Sequence, residues 1–304
     1  MMSRRRMMQS VGASMALASS AGAAQEPKED DRLPIRAHYY QHFGADHTLD
    51  VPEQGFGGWE TETLDFSRTH TAVVCMHAWA AGQTPQDFPG WWRSVPYIPR
   101  SNKIMRTVFP PLLEAVRASS LPLFHVVGGG DYYKELPGYK HAAALAGEAP
   151  PAPDKVASDP LRDKLNRFRS ENVFVGAQNK EDVNRGFKVL DFGEEARPKD
   201  GEGIAENGQQ LFALCKEKGI NHLIYCGFAI NWCLLLSPGG MAEMQKYGLM
   251  CSALRQATTA VESKESAPKE WAKAIGLWRV ALAYGFVFDV DDFMGACKVA
   301  TKKK

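Results

Sequence analysis

The chain has almost no net charge, no long apolar run and no closely spaced pair of cysteines. Its 304 residues carry 36 Lys and Arg against 35 Asp and Glu, a balance that argues against a nucleic-acid-binding protein, whose surface must be basic. A membrane-spanning helix needs about 20 consecutive apolar residues, and no stretch of the sequence provides them. No two of the six cysteines form a Cys-x-x-Cys pair, which argues against a thiol-redox enzyme. These absences, with 44% apolar residues, leave an ordinary globular protein.

The N-terminus has the features of an export signal. A basic start that contains Ser3, Arg4 and Arg5 is followed by a weakly apolar run over residues 11–23, which ends in Ala-Gly-Ala. Charge, apolar core and small-residue cleavage site in this order predict a signal peptide over residues 1–24. The paired arginines and the modest hydrophobicity favour the twin-arginine route, and hence a periplasmic location. Because such a passenger folds before export, we expect mostly free, buried cysteines and no disulfide framework.

Residues 25–63 are rich in charge, Gly, Pro and His and show no clear period, which predicts an extended N-terminal arm. His38, His42 and His47 lie in this arm. No acidic residue or thiol follows them at the spacing of a known metal site, so we expect surface histidines and no metal. No other motif calls for a cofactor, and the sequence leaves a homo-oligomer open.

From residue 71 onward, short apolar runs alternate with amphipathic stretches. The run at 71–76 (TAVVCM) and those at 121–127 and 223–226 suit strands that are buried on both faces of a parallel sheet. Between them, Asn207 is a helix N-cap, and Gly219 ends that helix. The pattern predicts an α/β fold over residues 64–300, a three-layer α/β/α sandwich around a mainly parallel, doubly wound sheet. Residues 135–203, polar and rich in Ala-Pro, are predicted to be an insertion.

Cys233 follows the strand at 223–226 and opens the next predicted helix. Ligands of doubly wound sheets lie beyond the carboxyl ends of the strands, and a helix start favours a thiolate over a thiol. The position therefore suits a nucleophile. The alternative is a small buried hydrophobic residue, the usual fate of a free cysteine.

Residues 219–233, GINHLIYCGFAINWC, resemble the active-site stretch of the isochorismatase-like cysteine hydrolases, whose pattern is roughly G-I-x-x-L-x-x-x-G-x-x-T-x-x-C. The resemblance implies that Cys233 is the nucleophile and that the Phe228–Ala229 bond is a cis peptide. It also implies that the N–H groups of Ala229 and Cys233 bind the oxyanion. Asn231 fits the pattern and is a candidate substrate-binding residue, whereas Ile230 replaces the usual Thr.

The other two members of the family's Cys–Asp–Lys triad are sought at positions outside this stretch. The stretch AVVCMHAW, at residues 72–79, is similar to the family's A-L-L-V-I-D-M-Q and places His77 where the family has Asp. A neutral imidazole can take a thiol proton, so His77 is a candidate base. The alternative is a core histidine that bonds to a backbone carbonyl. For the triad lysine, spacing to the helix at Leu211 favours Lys199 over Lys188.

Trp91 and Trp92 lie in residues 83–100, which we predict to be a long loop. This loop is a candidate wall of the pocket; the alternative is that it packs over the edge of the sheet. The favoured function is hydrolysis of a small amide-like substrate through a covalent intermediate on Cys233, without a cofactor. The alternative is a noncatalytic small-molecule-binding protein that lost activity with the triad Asp.

Overall fold

A computed structural model describes residues 31–80, 84–148 and 151–299; the predicted signal peptide lies outside these residues. The strands are β1 Arg32–Gln41, β2 Gly58–Ser67, β3 Thr71–Met76, β4 Trp79–Ala80, β5 Leu123–Val126, β6 Asp191–Phe192, β7 Gly203–Ala205, β8 His222–Gly227, β9 Met250–Thr258 and β10 Val287–Phe288. The α-helices are α1 Pro89–Ser94, α2 Ile98–Thr107, α3 Phe109–Ser119, α4 Pro137–Ala146, α5 Pro160–Asn172, α6 Lys180–Lys188, α7 Gly208–Lys218, α8 Met241–Met244, α9 Trp271–Ala283 and α10 Val290–Val299.

Eight of these strands form one sheet in the order β2-β1-β10-β9-β8-β3-β5-β7. The pairs from β10 to β7 are all parallel, and β1 and β2 add two antiparallel pairs at one edge. The predicted mainly parallel α/β fold is therefore confirmed. Strands β4 and β6 pair separately and antiparallel.

Alternation along β3 explains the three layers. Val73 and Cys75 point to one face, where they pack with Leu112 of α3 and Phe293 of α10. Val74 points to the opposite face, where α7 and α9 supply the apolar side chains. Since every residue of β3 is buried, the strand needs apolar residues on both sides, as its sequence shows.

The predicted helix signals near Cys233 are also present. The side chain of Asn207 accepts a hydrogen bond from the Gln210 N–H at 2.9 Å, and Gly219 adopts the left-handed conformation with φ of 66° at the end of α7. The helix therefore begins and ends where its capping residues predict.

The expected N-terminal arm is part of the sheet. Strand β1 pairs with β2 over ten residues, and its Leu33, Ile35 and Ala37 are buried. The boundary predicted at residue 63 thus cuts through β2. The sequence LPIRA alternates apolar and polar residues, the period of a half-buried strand, which the Gly, Pro and His content of the whole segment obscured.

The predicted insertion at residues 135–203 contains α4, α5 and α6. Helix α5 buries none of its residues, whereas α6 packs against α1 and so lies close to the carboxyl edge of the sheet. In the described part of the chain no helix has the length and hydropathy needed to cross a membrane.

Candidate active site

The carboxyl ends of β3 and β8 lie side by side in the middle of the sheet. Their register pairs Met76 with Gly227, so His77 and Phe228 are the first residues beyond the two strands. The His77 N–H donates to the Val126 carbonyl at 2.9 Å, and the Phe228 N–H donates to the Met76 carbonyl at 3.1 Å. Two chain segments are thereby fixed at one edge of the sheet, the usual place of a ligand site in this fold class.

Gly227 makes this close approach feasible. Its φ is 125°, and a Cβ at this position would lie 1.9 Å from the Met76 carbonyl oxygen, far inside any real contact. The peptide bond that follows, Phe228–Ala229, is cis, as the sequence resemblance implies.

Cys233 lies in a single π-helical turn, Ile230–Leu234. The Ile230 N–H donates to the Thr259 carbonyl at 2.8 Å, and the Leu234 N–H donates to the Ala229 carbonyl at 3.1 Å. The turn is short because Ser237 and the glycines after it end the helical conformation. A helix dipole of normal length is therefore not available to Cys233.

Asn231 stabilises this turn. Its side-chain amide donates to the Val261 carbonyl at 2.8 Å and accepts from the Val261 N–H at 2.9 Å. Both polar ends of the side chain are occupied, and Asn231 is not a wall residue of the cavity described next. Asn231 therefore holds the turn, and its role in substrate binding stays a prediction.

A cavity of about 210 Å³ opens beside Cys233. Its walls include three other predicted site residues, His77, Trp91 and Phe228. Cys233 is partly exposed, whereas the other five cysteines are buried and all six are free. The structure thus brings together the predicted nucleophile, the predicted base and an open space large enough for a small molecule.

Half of the described wall residues of the cavity are Phe, Tyr or Trp: Trp79, Trp91, Tyr97, Phe174, Phe187, Phe228 and Trp232. Trp91 stacks on Phe187 with ring centroids 4.9 Å apart. Phe174 meets Trp232 edge to face at 5.4 Å, and both rings are almost half exposed. The inner wall is thus a packed set of rings, and the Phe174–Trp232 pair lies where the cavity meets solvent.

His77 is buried and has a positive φ of 51°, a conformation that is uncommon outside glycine and asparagine. Burial lowers the pKa of its imidazole to about 4, against a hydrogen bond to the Val127 backbone that raises it. His77 is therefore neutral at neutral pH. Its buried Nδ1 has no hydrogen-bond partner among the described residues, so the bond to Val127 is assigned to Nε2 and the free lone pair to Nδ1.

Neither candidate lysine is a wall residue of the cavity. Lys199 is exposed and precedes β7, which runs parallel to β5, so it lies toward the amino edge of the sheet, opposite Cys233. Its backbone N–H donates to Glu202 Oε2 at 2.9 Å. Lys188 is exposed at the end of α6. The structure therefore supplies no lysine at the site among the residues it describes.

Residues 83–100, predicted to be a loop, contain helix α1 and the start of α2. Trp91 is buried and packs on α6, where a Cβ on Gly186 would lie 2.0 Å from the indole. Trp92 belongs to the same apolar cluster but is not a wall residue of the cavity. Helix α1 has only six residues. Pro and Gly near the helix starts, together with this short length, obscure the helical period of apolar residues in the sequence.

Several wall residues were not predicted to belong to the site. Phe174, Val175, Val183 and Phe187 come from the predicted insertion and close the side of the cavity opposite the sheet. The signal available in the sequence was the apolar cluster NVFVG at residues 172–176, within an otherwise polar segment.

The positions of Cys226 and Cys233 argue against a disulfide between these two residues. Cys226 is opposite Cys75 in the β3–β8 register and packs on the α3 face of the sheet. Cys233 packs against the cluster on the other face. Because a disulfide needs adjacent Cβ atoms, Cys226 and Cys233 do not form a candidate pair.

Comparison with protein-family models gives no match, and neither does comparison with curated proteins. Solved structures do match. A cysteine hydrolase from Pseudomonas syringae pv. phaseolicola is 14% identical, with 77% of this chain and 95% of that chain covered and a TM-score of 0.43. An isochorismatase family protein from Burkholderia thailandensis is 14% identical, with 76% and 96% covered and a TM-score of 0.40.

N-carbamoylsarcosine amidase from Thermoplasma acidophilum is 13% identical, with 73% of this chain and 97% of that chain covered and a TM-score of 0.36. Cysteine hydrolases and isochorismatase-family proteins thus recur among the matching structures, all at low identity. Such distant matches assign no residue of this chain, and its site is assigned from its own geometry.

Proposed function

We propose that the chain is a cysteine-dependent hydrolase of small amide-like substrates, with Cys233 as nucleophile and His77 as base. The observation that supports this most is the shared cavity: the one partly exposed thiol of the chain and a neutral imidazole lie in the walls of the same space. A thiol that is accessible and near a base is the arrangement that nucleophilic catalysis requires.

The reaction has two steps. In the first, Cys233 Sγ bonds to the carbonyl carbon as its proton passes to His77, and the amine leaves with that proton. In the second, water attacks the thioester, the acid leaves and the thiol is restored. His77 accepts and returns one proton in each step, so the neutral form set by its pKa of about 4 is the competent one at neutral pH.

A noncatalytic binding protein is the second candidate, and a specific observation favours it. Nδ1 of His77 is enclosed by protein atoms, so the side chain must move before it can reach a substrate. In addition, Lys199 lies away from the cavity. A site of this composition retains the shape of an active site without two of the three triad groups of the family it resembles.

Turnover on a panel of primary amides separates the two candidates. We expect the wild type to release ammonia, Cys233→Ala to release none, and His77→Ala to be slower by roughly 10²–10⁴-fold, the usual contribution of a general base. His77→Asp restores the family's acidic residue and is the informative control. Activity that appears only in His77→Asp would support the binding-protein candidate, since a Cys–His enzyme should be impaired by that change.

Export by the twin-arginine route remains part of this proposal. Replacement of Arg4 and Arg5 by Lys should retain the protein in the cytoplasm, as fractionation of cells that express the full chain would show. A chain that still reaches the periplasm would contradict this route.

A further inference from the structure

The cavity wall determines which ligands fit beside Cys233. We infer that the substrate is an uncharged primary amide whose acyl group is apolar and about the size of one aromatic ring. The inference rests on the proposed function only in calling the ligand a substrate. The chemical class of the ligand is inferred from the cavity alone.

The cavity wall disfavours a charged ligand. No Lys, Arg, Asp or Glu is among the described residues of the cavity wall, and Ser101, one of its few polar members, already donates its hydroxyl to the Ile98 carbonyl at 2.9 Å. His77 is neutral at neutral pH because burial lowers its pKa to about 4. A carboxylate or ammonium group would enter without a counter-ion, and burial of an unpaired charge is strongly unfavourable.

Shape comes next. The rings of Trp91 and Phe187 are stacked, with planes 25° from parallel, and Trp79 meets Phe187 edge-on at 6.4 Å. Aromatic walls favour flat apolar guests, which can pack offset or edge to face against them. Val183 and Ile98 complete the wall with aliphatic side chains. A sugar-like or ureide-like ligand would find few hydrogen-bond partners here.

Size limits the acyl group to one ring. A cavity of about 150 Å³ lined by apolar side chains is known to bind benzene. The space beside Cys233, about 210 Å³, therefore holds one ring with a short substituent such as a carboxamide. A bicyclic acyl group would have to displace Phe174 or Trp232.

The insertion sets this preference. Phe174, Val183 and Phe187 all come from residues 135–203, and none of them is charged. They are specificity-determining residues in this inference, because they contact the substrate body and not its reacting carbonyl.

Protection of Cys233 from alkylation tests the ligand class without requiring turnover. Iodoacetamide labelling is followed by mass spectrometry in the presence of benzamide, benzoate, acetamide or cyclohexanecarboxamide. Benzamide should slow labelling roughly tenfold at ten times its Kd, since protection grows as 1 + [L]/Kd. Cyclohexanecarboxamide should protect less, and benzoate and acetamide should have little effect at the same concentration.

Matched variants locate the effect. Phe187→Ala removes a ring that stacks on Trp91, and it should reduce protection by benzamide at least several-fold. Phe168→Ala removes an exposed phenyl ring from α5, outside the cavity wall, and should leave protection unchanged. Val183→Lys adds a positive charge to the wall and should shift the preference toward benzoate. Circular dichroism confirms that each variant is folded.

Ammonia release from the same compounds separates this inference from the proposed function. Protection by benzamide without release of ammonia supports the ligand class and contradicts hydrolysis. Release of ammonia from acetamide, with benzamide inert and unprotective, supports hydrolysis and overturns the ligand class. Equal protection by benzoate and benzamide in the wild type would also overturn it, because the cavity would then accept a charge.

Discussion

The imidazole of His77 stacks on the indole of Trp79, with ring centroids 4.4 Å apart and planes 21° from parallel. Trp79 belongs to β4, whose pairing with β6 holds it beyond the carboxyl edge of the main sheet. One face of the imidazole is therefore shielded from water. Since desolvation disfavours the charged form, this contact contributes to the burial that lowers the pKa of His77 to about 4.

Removal of the indole should reverse that shift. In Trp79→Ala, water gains access to the imidazole, and we expect the pKa of His77 to rise from about 4 toward its ordinary value near 6.5. NMR titration of the His77 ring protons measures this directly. Trp271→Ala, at an exposed tryptophan that is not a wall residue of the cavity, is the matched control and should leave the His77 titration unchanged. An unchanged titration in Trp79→Ala would mean that the residues on the other face of the His77 imidazole, and not the indole of Trp79, exclude water.

The same shift makes stability depend on pH. Because the folded-state pKa of His77 is below its unfolded value, the unfolded chain binds more protons between about pH 6.5 and 4, and the folded state loses stability as pH falls through that window. The full loss for a shift of this size is about 3 kcal/mol. Urea unfolding of wild type and His77→Asn at pH 7 and pH 4.5 should show a smaller acid loss in the variant. The exposed His141 (His141→Asn) is the control.

Labelling of cysteines should be selective. Cys233 is partly exposed, while burial raises the pKa of Cys215 to about 12 and that of Cys297 to about 11. Iodoacetamide at neutral pH should therefore modify Cys233 well before the other five. If His77 assists as a base, His77→Ala should slow this labelling. Faster labelling of several cysteines together in the variant would instead indicate a loosened fold.

The sequence predicted the site better where local chemistry determines it than where distant segments meet. The cis peptide before Cys233 and the caps of α7 depend on residues within short stretches, and the structure contains both. Lys199 was placed by spacing alone, which carries no information on which edge of the sheet a loop occupies. Phe187 reaches the cavity because α6 packs on α1, a tertiary contact that no local pattern encodes.

Lys199 has a structural neighbour that gives the next prediction. Glu202 accepts hydrogen bonds from Arg117 Nε at 2.6 Å, from His125 Nε2 at 2.8 Å and from the Lys199 N–H at 2.9 Å. These bonds hold the pKa of Glu202 at about 2, against burial, and the pKa of the buried His125 is raised by hydrogen bonds with Cys75 and Glu202 against the effect of burial.

Glu202→Gln should therefore destabilise the fold by on the order of 3 kcal/mol, because Arg117 and His125 lose a partly buried partner. The contribution of Glu202 is present above about pH 4.5 and is lost as pH falls toward 2. The contribution of His125 to stability is present below about pH 6.5 and is lost as pH rises through the raised pKa of His125. Denaturant midpoints from pH 3 to 9 measure both limbs. The exposed pair Lys140 and Glu135 provides the control Glu135→Gln, which should change stability by well under about 1 kcal/mol.

Gly227 allows a sharp test of how the site is built, because the chain offers a second positive-φ glycine, Gly201, that has open space where a Cβ would lie. Both Gly227 and Gly201 have a positive φ, 125° and 85°. A Cβ on Gly201 would meet nothing within 4 Å, whereas a Cβ on Gly227 would lie 1.9 Å from the Met76 carbonyl oxygen. Gly201→Ala should thus cost about 1–3 kcal/mol, the price of the backbone conformation alone.

Gly227→Ala carries that conformational cost and also forces β8 away from β3 at the point where His77 and Phe228 leave the sheet. We expect a larger loss of stability than in Gly201→Ala and, in any folded fraction, slower labelling of Cys233, because the cavity wall is displaced with Phe228. Thermal unfolding and iodoacetamide labelling of the two variants side by side measure both effects. Equal stability of the two variants would mean that β3 and β8 can separate here without cost, and the close contact of Gly227 with Met76 would then not be what fixes the edge of the sheet beside Cys233.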